Sequence, residues 1–414
     1  MSRLEPTNEA SAMQKEISDI AEQGGGRATK VEQLIQQYCP DGVEYKKLGD
    51  VCDIKGRIGF RGYTRQDLVE EADGAITLSP SNIINQELNY EDCSYISWAK
   101  YEESPEIKVA VGDVIFTKTA SVGKTALVKY LPKEATINPQ LVVLKNIQCN
   151  SAFLAYVLQT YRFQKEVAKL QGVGSVPNIS QTSLSGITIP IPPLPVQEEI
   201  VRILDSFTEL QAELQAELQK RLQQYDYYRD NLLSFEGRTD VEWKKLGELG
   251  RISSGKNKQK KKEGAYPVYG STGIIAYCDE FKYDKPLILV ARVGANAGYT
   301  HIARGQYDVS DNTLIIDLDK KNVINKYIFY ILVNINLNRY AKGGGQPLIT
   351  AGEIKEITIP VPPLSEQQRI VDILDRFNTL TTDITAGLPA EIEARRKQYE
   401  YYRDQLLTFK QKAS

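Results

Sequence analysis

Val122, Gly123, Lys124 and Thr125 end like a loop that cradles nucleotide phosphates, where backbone amides and a lysine hold the charge. The spacing opposes that chemistry: the first glycine of such a loop would fall at Lys118, and Pro132 follows too soon for the helix that must come next. Leu314 to Asp317 has the look of a metal-binding strand, but its place in an internal repeat makes it the counterpart of Leu141 to Leu144. His301 is the single histidine, which excludes paired-histidine metal sites and argues against nucleophile–histidine catalysis. Asn138-Pro139-Gln140 is not the tetrad of a methyltransferase. Cys39, Cys52, Cys93, Cys149 and Cys278 are scattered and never spaced as C-x-x-C, so neither a zinc ribbon nor a disulfide framework is expected. The expectation is no catalytic residue, no metal and no cofactor in this chain, in a reducing cytoplasm with no secretory signal and no membrane span.

Charge offers more. The net charge is −2, yet residues 241–360 hold 18 Lys and Arg against 12 Asp and Glu, while 197–235 hold 4 against 8. Such a local basic surplus suits contact with a polyanion, and the acidic stretch suits another task. Lys118 and Arg292 each follow an apolar strand and are candidates for DNA contact, arginine being suited to bidentate reading of guanine. Lys124 shares the first of these turns. Lys256, Lys258, Lys260, Lys261 and Lys262 form a run that reads either as a solvated loop or as a phosphate anchor. Asn296, Tyr269, Ser271 and Thr272 are polar candidates, and Ser175 and Gln346 lie in small-residue loops that would let backbone approach DNA, or are plain turns.

The elements that position these residues occur twice. Val43 to Gly49 (VEYKKLG) returns as Val241 to Gly247 (VEWKKLG), and Thr188 to Leu194 (TIPIPPL) as Thr358 to Leu364 (TIPVPPL). Gln197 to Phe207 returns as Gln367 to Phe377, and Tyr225 to Leu233 as Tyr399 to Leu407. The interiors, 50–175 and 248–345, diverge and share only faint landmarks, each reading as a mixed, mainly β domain.

Each Pro-Pro pair precedes an amphipathic run. Ile200, Leu204, Phe207, Leu210, Leu214, Leu218, Leu222 and Tyr225 paint one stripe, as do Ile370, Leu374, Phe377, Leu380, Ile384, Leu388, Ile392 and Tyr399. Helices of roughly 60 Å cannot bury such stripes alone, so the two are expected to pack as a coiled-coil-like antiparallel pair. Pro389 would break the second run or open a new segment. Gln211 to Leu214 repeats as Gln215 to Leu218, a spacer unit worth roughly 6 Å of helix. Aligned on the Val43 and Val241 borders, Leu34-Ile35 falls opposite Leu232-Leu233, as though a circle had been cut there.

A variable module, Pro-Pro, a long helix ending in Tyr-x-Tyr-Tyr-Arg-Asp, and then the whole again: this resembles the specificity subunits of type I restriction–modification enzymes, over residues 28–409. Ile191 to Leu194, Gln197 to Asp205, their second copies, and Tyr266 to Ile274 carry the resemblance, and the Gln-Ala-Glu-Leu units resemble the subgroup with four-residue spacer repeats. It implies an α+β fold with pseudo-two-fold symmetry: a flexible extension over 1–27, a short helix over 28–40, target recognition domains over 41–191 and 241–361, and spacer helices over 192–240 and 362–414. It also implies a non-catalytic subunit that reads a bipartite site in double-stranded DNA, one domain per half-site. Two methyltransferase subunits using S-adenosylmethionine would dock on the helices, and restriction subunits using ATP and Mg²⁺ through them. The interface candidates, by resemblance, are Tyr225, Tyr228, Arg229, Tyr399, Tyr402 and Arg403, whose tyrosines suit packing between helices better than contact with DNA. The rivals are a two-module protein-interaction scaffold and a self-contained enzyme remnant.

Overall fold

The computed structural model describes residues 30–57, 63–172, 174–257, 261–319, 321–343, 345–382 and 387–413. The expected extension over 1–27 lies outside them. The chain forms two compact units, residues 1–213 with 393–414, and residues 214–392.

In the first unit, Glu44–Lys47 pairs antiparallel with Thr188–Ile191, in the register Glu44 to Ile191 and Lys47 to Thr188. The duplicated border sequences are therefore the two strands that close the domain. Between them, the strands Asp53–Lys55, Leu141–Lys145, Val114–Thr117 and Thr125–Leu127 form one sheet in that spatial order. A second sheet holds Ala135–Ile137, Gly74–Leu78, Ser94–Ser97 and Leu68–Val69. Alternate residues of the central strands serve two cores. Val114, Phe116, Val142 and Leu144 pack with helical residues such as Phe153, Ile200, Leu204 and Phe207. Ile115, Leu141 and Val143 pack with Ile76, Leu78 and Ile137 of the second sheet. Burial on both faces explains why these strands are continuous apolar runs.

The second unit repeats this frame. Glu242–Lys245 pairs with Thr358–Val361 in the same register. The strands Gly250–Ser254, Thr313–Leu318, Leu287–Ala291 and Thr300–Ala303 follow the same spatial order. The other sheet differs, with only Gly273–Cys278, Tyr266–Gly270 and Asp308–Val309. Constant frame and variable content are thus separable sheet by sheet.

The repeated Gln-x-x-Ile and Ile-Leu-Asp phrases are clamps between domain and helix. Gln197 accepts from Asn150 N at 2.9 Å and donates to Pro192 O at 2.6 Å. Gln367 accepts from Ile324 N at 2.9 Å and donates to Pro362 O at 2.8 Å. Tyr156 donates to Asp205 at 2.6 Å, and Tyr330 to Asp375 at 2.5 Å. Both glutamines are buried, so each amide satisfies backbone groups that water cannot reach.

Leu194–Leu233 is one helix of 40 residues. The second run, expected as one spacer segment over 362–414, starts a new helix where Pro389 was expected to open a new segment. It forms Leu364–Thr382 and Leu388–Leu406. Ala390 N and Glu391 N both donate to Gly387 O, which makes Gly387 the start of the last helix and places Pro389 in its first turn, where a missing N–H costs nothing.

A helix spans Lys30–Tyr38, but Leu34-Ile35 are not the structural counterparts of Leu232-Leu233. Leu233 and Phe235 enter the second unit's core, and their counterparts in the first unit are Leu407 and Phe409. Val43 N donates to Lys410 O at 2.8 Å, and Lys412 N to Val43 O at 2.9 Å. The Tyr45 hydroxyl donates to Phe409 O at 3.1 Å. The last residues of the chain thus complete its first domain by hydrogen bonds where the second domain uses covalent continuity.

Candidate nucleic-acid interface

Lys118 and Arg292 occupy equivalent places. Lys118 N donates to Gln140 O and Arg292 N to Asn312 O, each at 2.9 Å. Their carbonyls accept from Ile179 N and Ile349 N, again at 2.9 Å. Ala120 N then donates to Pro177 O, and Gly294 N to Pro347 O. These bonds pin the loops carrying Ser175 and Gln346, both exposed, against the basic turns. The structure therefore brings Lys118 to the Ser175 loop in one unit and Arg292 to the Gln346 loop in the other, with Asn296 in the same turn as Arg292.

Among the described residues neither cation has an ion-pair partner. Among the described residues Lys118 has no ion-pair or hydrogen-bond partner for its ammonium, and burial holds that group below the ordinary lysine range. Arg292 Nε is buried without an acceptor. Half-buried cations with no anion are costly, and a phosphate or a guanine edge would supply the missing acceptor.

In the second unit the segment 309–313 ties further candidates together. Lys256 N and Asn257 N donate to Val309 O, Ser310 N donates to Tyr269 O, and Asn312 O receives Arg292 N. Ser271 and Thr272 sit in the turn between Tyr266–Gly270 and Gly273–Cys278. Lys256 and Lys262 are exposed, whereas Lys261 is ion-paired with Asp279 at 2.8 Å. Lys258 and Lys260 lie outside the described residues.

Lys124 differs from expectation. Its ammonium donates to Pro80 O and Ile83 O, both at 3.2 Å, so it ties one loop of the domain rather than standing free. Gly123 has φ +100°, and Thr125–Leu127 is a strand, so the Gly-Lys-Thr sequence is a basic turn and not the head of a helix. Arg57 follows Gly56 after the strand Asp53–Lys55, as Lys256 follows Gly255 after Gly250–Ser254. Arg57 is buried, donates from Nε to Ile137 O at 2.8 Å, and lies over the Tyr63 ring at 5.3 Å.

The candidate partner residues divide. Tyr399 and Arg403 are buried in the first unit, so they are corrected from docking surface to core. Tyr402 and Tyr399 flank Phe207 there, as Tyr228 and Tyr225 flank Phe377 in the second unit. Arg229 is held by Asn334, Asp226 and Asp230. The outward tyrosines are Tyr227, 67% exposed, and Tyr401, 60% exposed, which the sequence reading passed over. Adjacent helical residues diverge by about 100°, which turns Tyr401 outward while Tyr402 stacks on Phe207; in the second unit Tyr228 stacks on Phe377 yet stays 41% exposed. Among the described residues no helix is long and apolar enough to cross a membrane.

Comparison with known proteins agrees with this architecture. The chain is 41% identical over 263 residues to the Escherichia coli type I restriction enzyme EcoR124I/EcoR124II specificity subunit; the match covers 56% of this chain and 65% of that subunit, just under two thirds. It is 37% identical over 291 residues to a putative type I restriction enzyme specificity subunit of Haemophilus influenzae, covering 63% of this chain and 72% of that one. The fold resembles the type I restriction-modification system S subunit from M. genitalium, with a TM-score of 0.55 and 14% identity, covering 88% of this chain and 96% of that chain. It also resembles a chain from a type I R-M system complex, with a TM-score of 0.59 and 17% identity, covering 88% and 97%. The type I restriction modification DNA specificity domain matches residues 40–224 and again 239–394, and the chain belongs to that family of DNA specificity subunits.

Proposed function

We propose that each unit reads one half of a bipartite site in double-stranded DNA, and that the helices set the gap between the halves and receive two methyltransferase subunits. The observation that supports this most is the pair Lys118 and Arg292: one frame, used twice, presents an uncompensated cation at the same strand end while the surrounding content differs. Two unlike readers on a common frame suit two unlike half-sites, and helices of fixed length suit a fixed separation. In this reading the chain itself performs no chemistry. Its partners supply it, the methyltransferase with S-adenosylmethionine and the restriction subunits with ATP and Mg²⁺. Tyr227 and Tyr401, outward at equivalent places on the helices, are the residues we assign to partner contact.

Binding to a library of DNA duplexes, by the chain with its methyltransferase partner, tests the reading. Affinity should fall with added salt, and each of Lys118→Ala and Arg292→Ala should reduce the salt slope by about one. Enrichment of one two-part sequence supports DNA reading. Salt-insensitive binding with no sequence enrichment would favour the protein scaffold instead.

A further inference from the structure

The turn that follows the basic residue is closed by the same hydrogen bonds in both units, although the second turn is one residue longer, and this locates where their chemistries part. Thr117 N donates to Lys124 O at 2.9 Å, and Ala291 N to Tyr299 O at 2.8 Å. Gly123 N donates to Thr117 O, and Gly298 N to Ala291 O. Gly123 and Gly298 have φ of +100° and +92°. The next threonines bond back identically: Thr125 Oγ1 donates to Gly123 O at 3.2 Å, and Thr300 Oγ1 to Gly298 O at 3.1 Å. Lys124 therefore corresponds to Tyr299, and Ala126 to His301.

At this shared position the first unit closes itself. Lys124 is committed to two carbonyls, and Ala126 is buried in the core between the sheets. The second unit does the reverse. Tyr299 is 60% exposed, and among the described residues its hydroxyl has no hydrogen-bond partner. Its ring stacks on His301, with centroids 5.9 Å apart and planes 28° apart, and Tyr269 packs on the same imidazole at 5.4 Å. Both His301 ring nitrogens are buried without a partner, so the imidazole is held by its faces and acts as a platform. Ser310, whose amide is bonded to Tyr269 O, and Thr313 also bury hydroxyls without partners beside this cluster. Leaving polar groups unpaired is unfavourable: at this turn the first unit leaves the Thr117 hydroxyl unpaired, whereas the second leaves both His301 nitrogens and the Ser310 and Thr313 hydroxyls so.

We propose that Tyr299 is a specificity-determining residue of the second unit, its hydroxyl meeting the edge of one base in that unit's half-site, with His301 and Tyr269 as positioning residues behind it. This rests on the reading of the chain as a DNA-binding subunit. It follows from a simple requirement: readers built on one frame but recognising different sequences must differ at equivalent, solvent-facing positions, and a free phenol against a tethered ammonium is such a difference.

The test is modified-base sequencing of DNA from cells carrying the chain and its methyltransferase partner. Tyr299→Ala should admit additional bases at one position of one half-site, with discrimination there falling on the order of tenfold, while the other half and the gap stay as they were. His301→Phe, which keeps the ring, should retain the native motif, whereas His301→Ala should relax the same position. If Tyr299→Ala abolishes methylation, Tyr299→Phe and Tyr299→Lys decide, and a change confined to that same position supports the inference. The native motif at full strength in Tyr299→Ala, or relaxation in both halves, would overturn it. Absence of any two-part motif with the unaltered chain would strike the underlying DNA reading, and this inference with it.

Discussion

Phe207 stacks on Tyr402, with ring centroids 5.6 Å apart and planes 28° apart, although 194 positions of sequence separate them. Phe377 and Tyr228 repeat the pair in the other unit, at 5.4 Å and 29°. An aromatic lock thus joins a domain's own helices in each unit, and the two locks come from the duplicated Asp-x-Phe and Tyr-x-Tyr-Tyr phrases. Phe207 is 1% exposed. Phe207→Ala should cost about 3–5 kcal/mol of stability through lost burial and a cavity. Phe377 is less deeply buried, so Phe377→Ala should cost less. Urea unfolding of both variants checks the order, and equal losses would contradict it.

Closure of the first domain by the chain's end makes a second expectation. Ending the chain after Thr408 removes Phe409 from the core, together with the two Val43 backbone bonds and the acceptor for Tyr45. Burying a phenylalanine side chain is worth about 1.5–3 kcal/mol, and the hydrogen bonds about 1 kcal/mol each. Limited proteolysis should therefore cleave the shortened chain within residues 43–191 much sooner than within 241–361. Equal protection of both domains would show that the closure is dispensable.

His301 gives a pH dependence that can be assigned without ambiguity, because the chain has no other histidine. Burial holds its imidazole below the ordinary histidine range. The unfolded chain therefore takes up a proton at a higher pH than the folded one. Stability is unaffected by this group above about pH 6.5 and declines as pH falls below that value toward the folded pKa. Denaturant unfolding from pH 7.5 to 5 should show a component of acid destabilisation that His301→Phe removes. An unchanged pH profile in that variant would place the imidazole in a solvated setting.

The spacer expectation is geometric. Gln211 to Leu214 and Gln215 to Leu218 lie inside the continuous helix Leu194–Leu233. Deleting the second unit shortens the helix by roughly 6 Å and turns it by about 40° beyond a full turn, which keeps the apolar stripe nearly in phase. The preferred gap between half-sites should shrink by about two base pairs, at 3.4 Å each, with both half-sites unchanged. A footprint of methylation that keeps the original gap would remove the spacer role.

What the sequence revealed and what it hid follow from where the repeat is strong. The border phrases match nearly residue for residue because they perform the same pairing twice, Glu44 with Ile191 and Glu242 with Val361. The start of the last helix was legible at Pro389, because proline has a definite place there. The interiors were not legible. One sheet has the same strand order in both units, but only buried backbone registers carry it, and those accept many apolar residues; the other sheet differs. The part played by Leu407 and Phe409 was hidden because it depends on contacts hundreds of residues away. Lys124 looked like a free cation because its two acceptors are carbonyl groups, which any residue supplies. The burial of Arg403 was hidden because a Tyr-x-Tyr-Tyr-Arg-Asp phrase alone does not show which side of the helix its unit covers, whereas Tyr399 already belonged to the apolar stripe.

The most direct measurement is modified-base sequencing of the genome in cells that express this chain with its methyltransferase partner, compared with cells lacking the chain. The account predicts one asymmetric motif, two specified halves around an unspecified gap, methylated only when the chain is present. Methylation that is unchanged by removing the chain, while the partner is active with another specificity subunit, would contradict it.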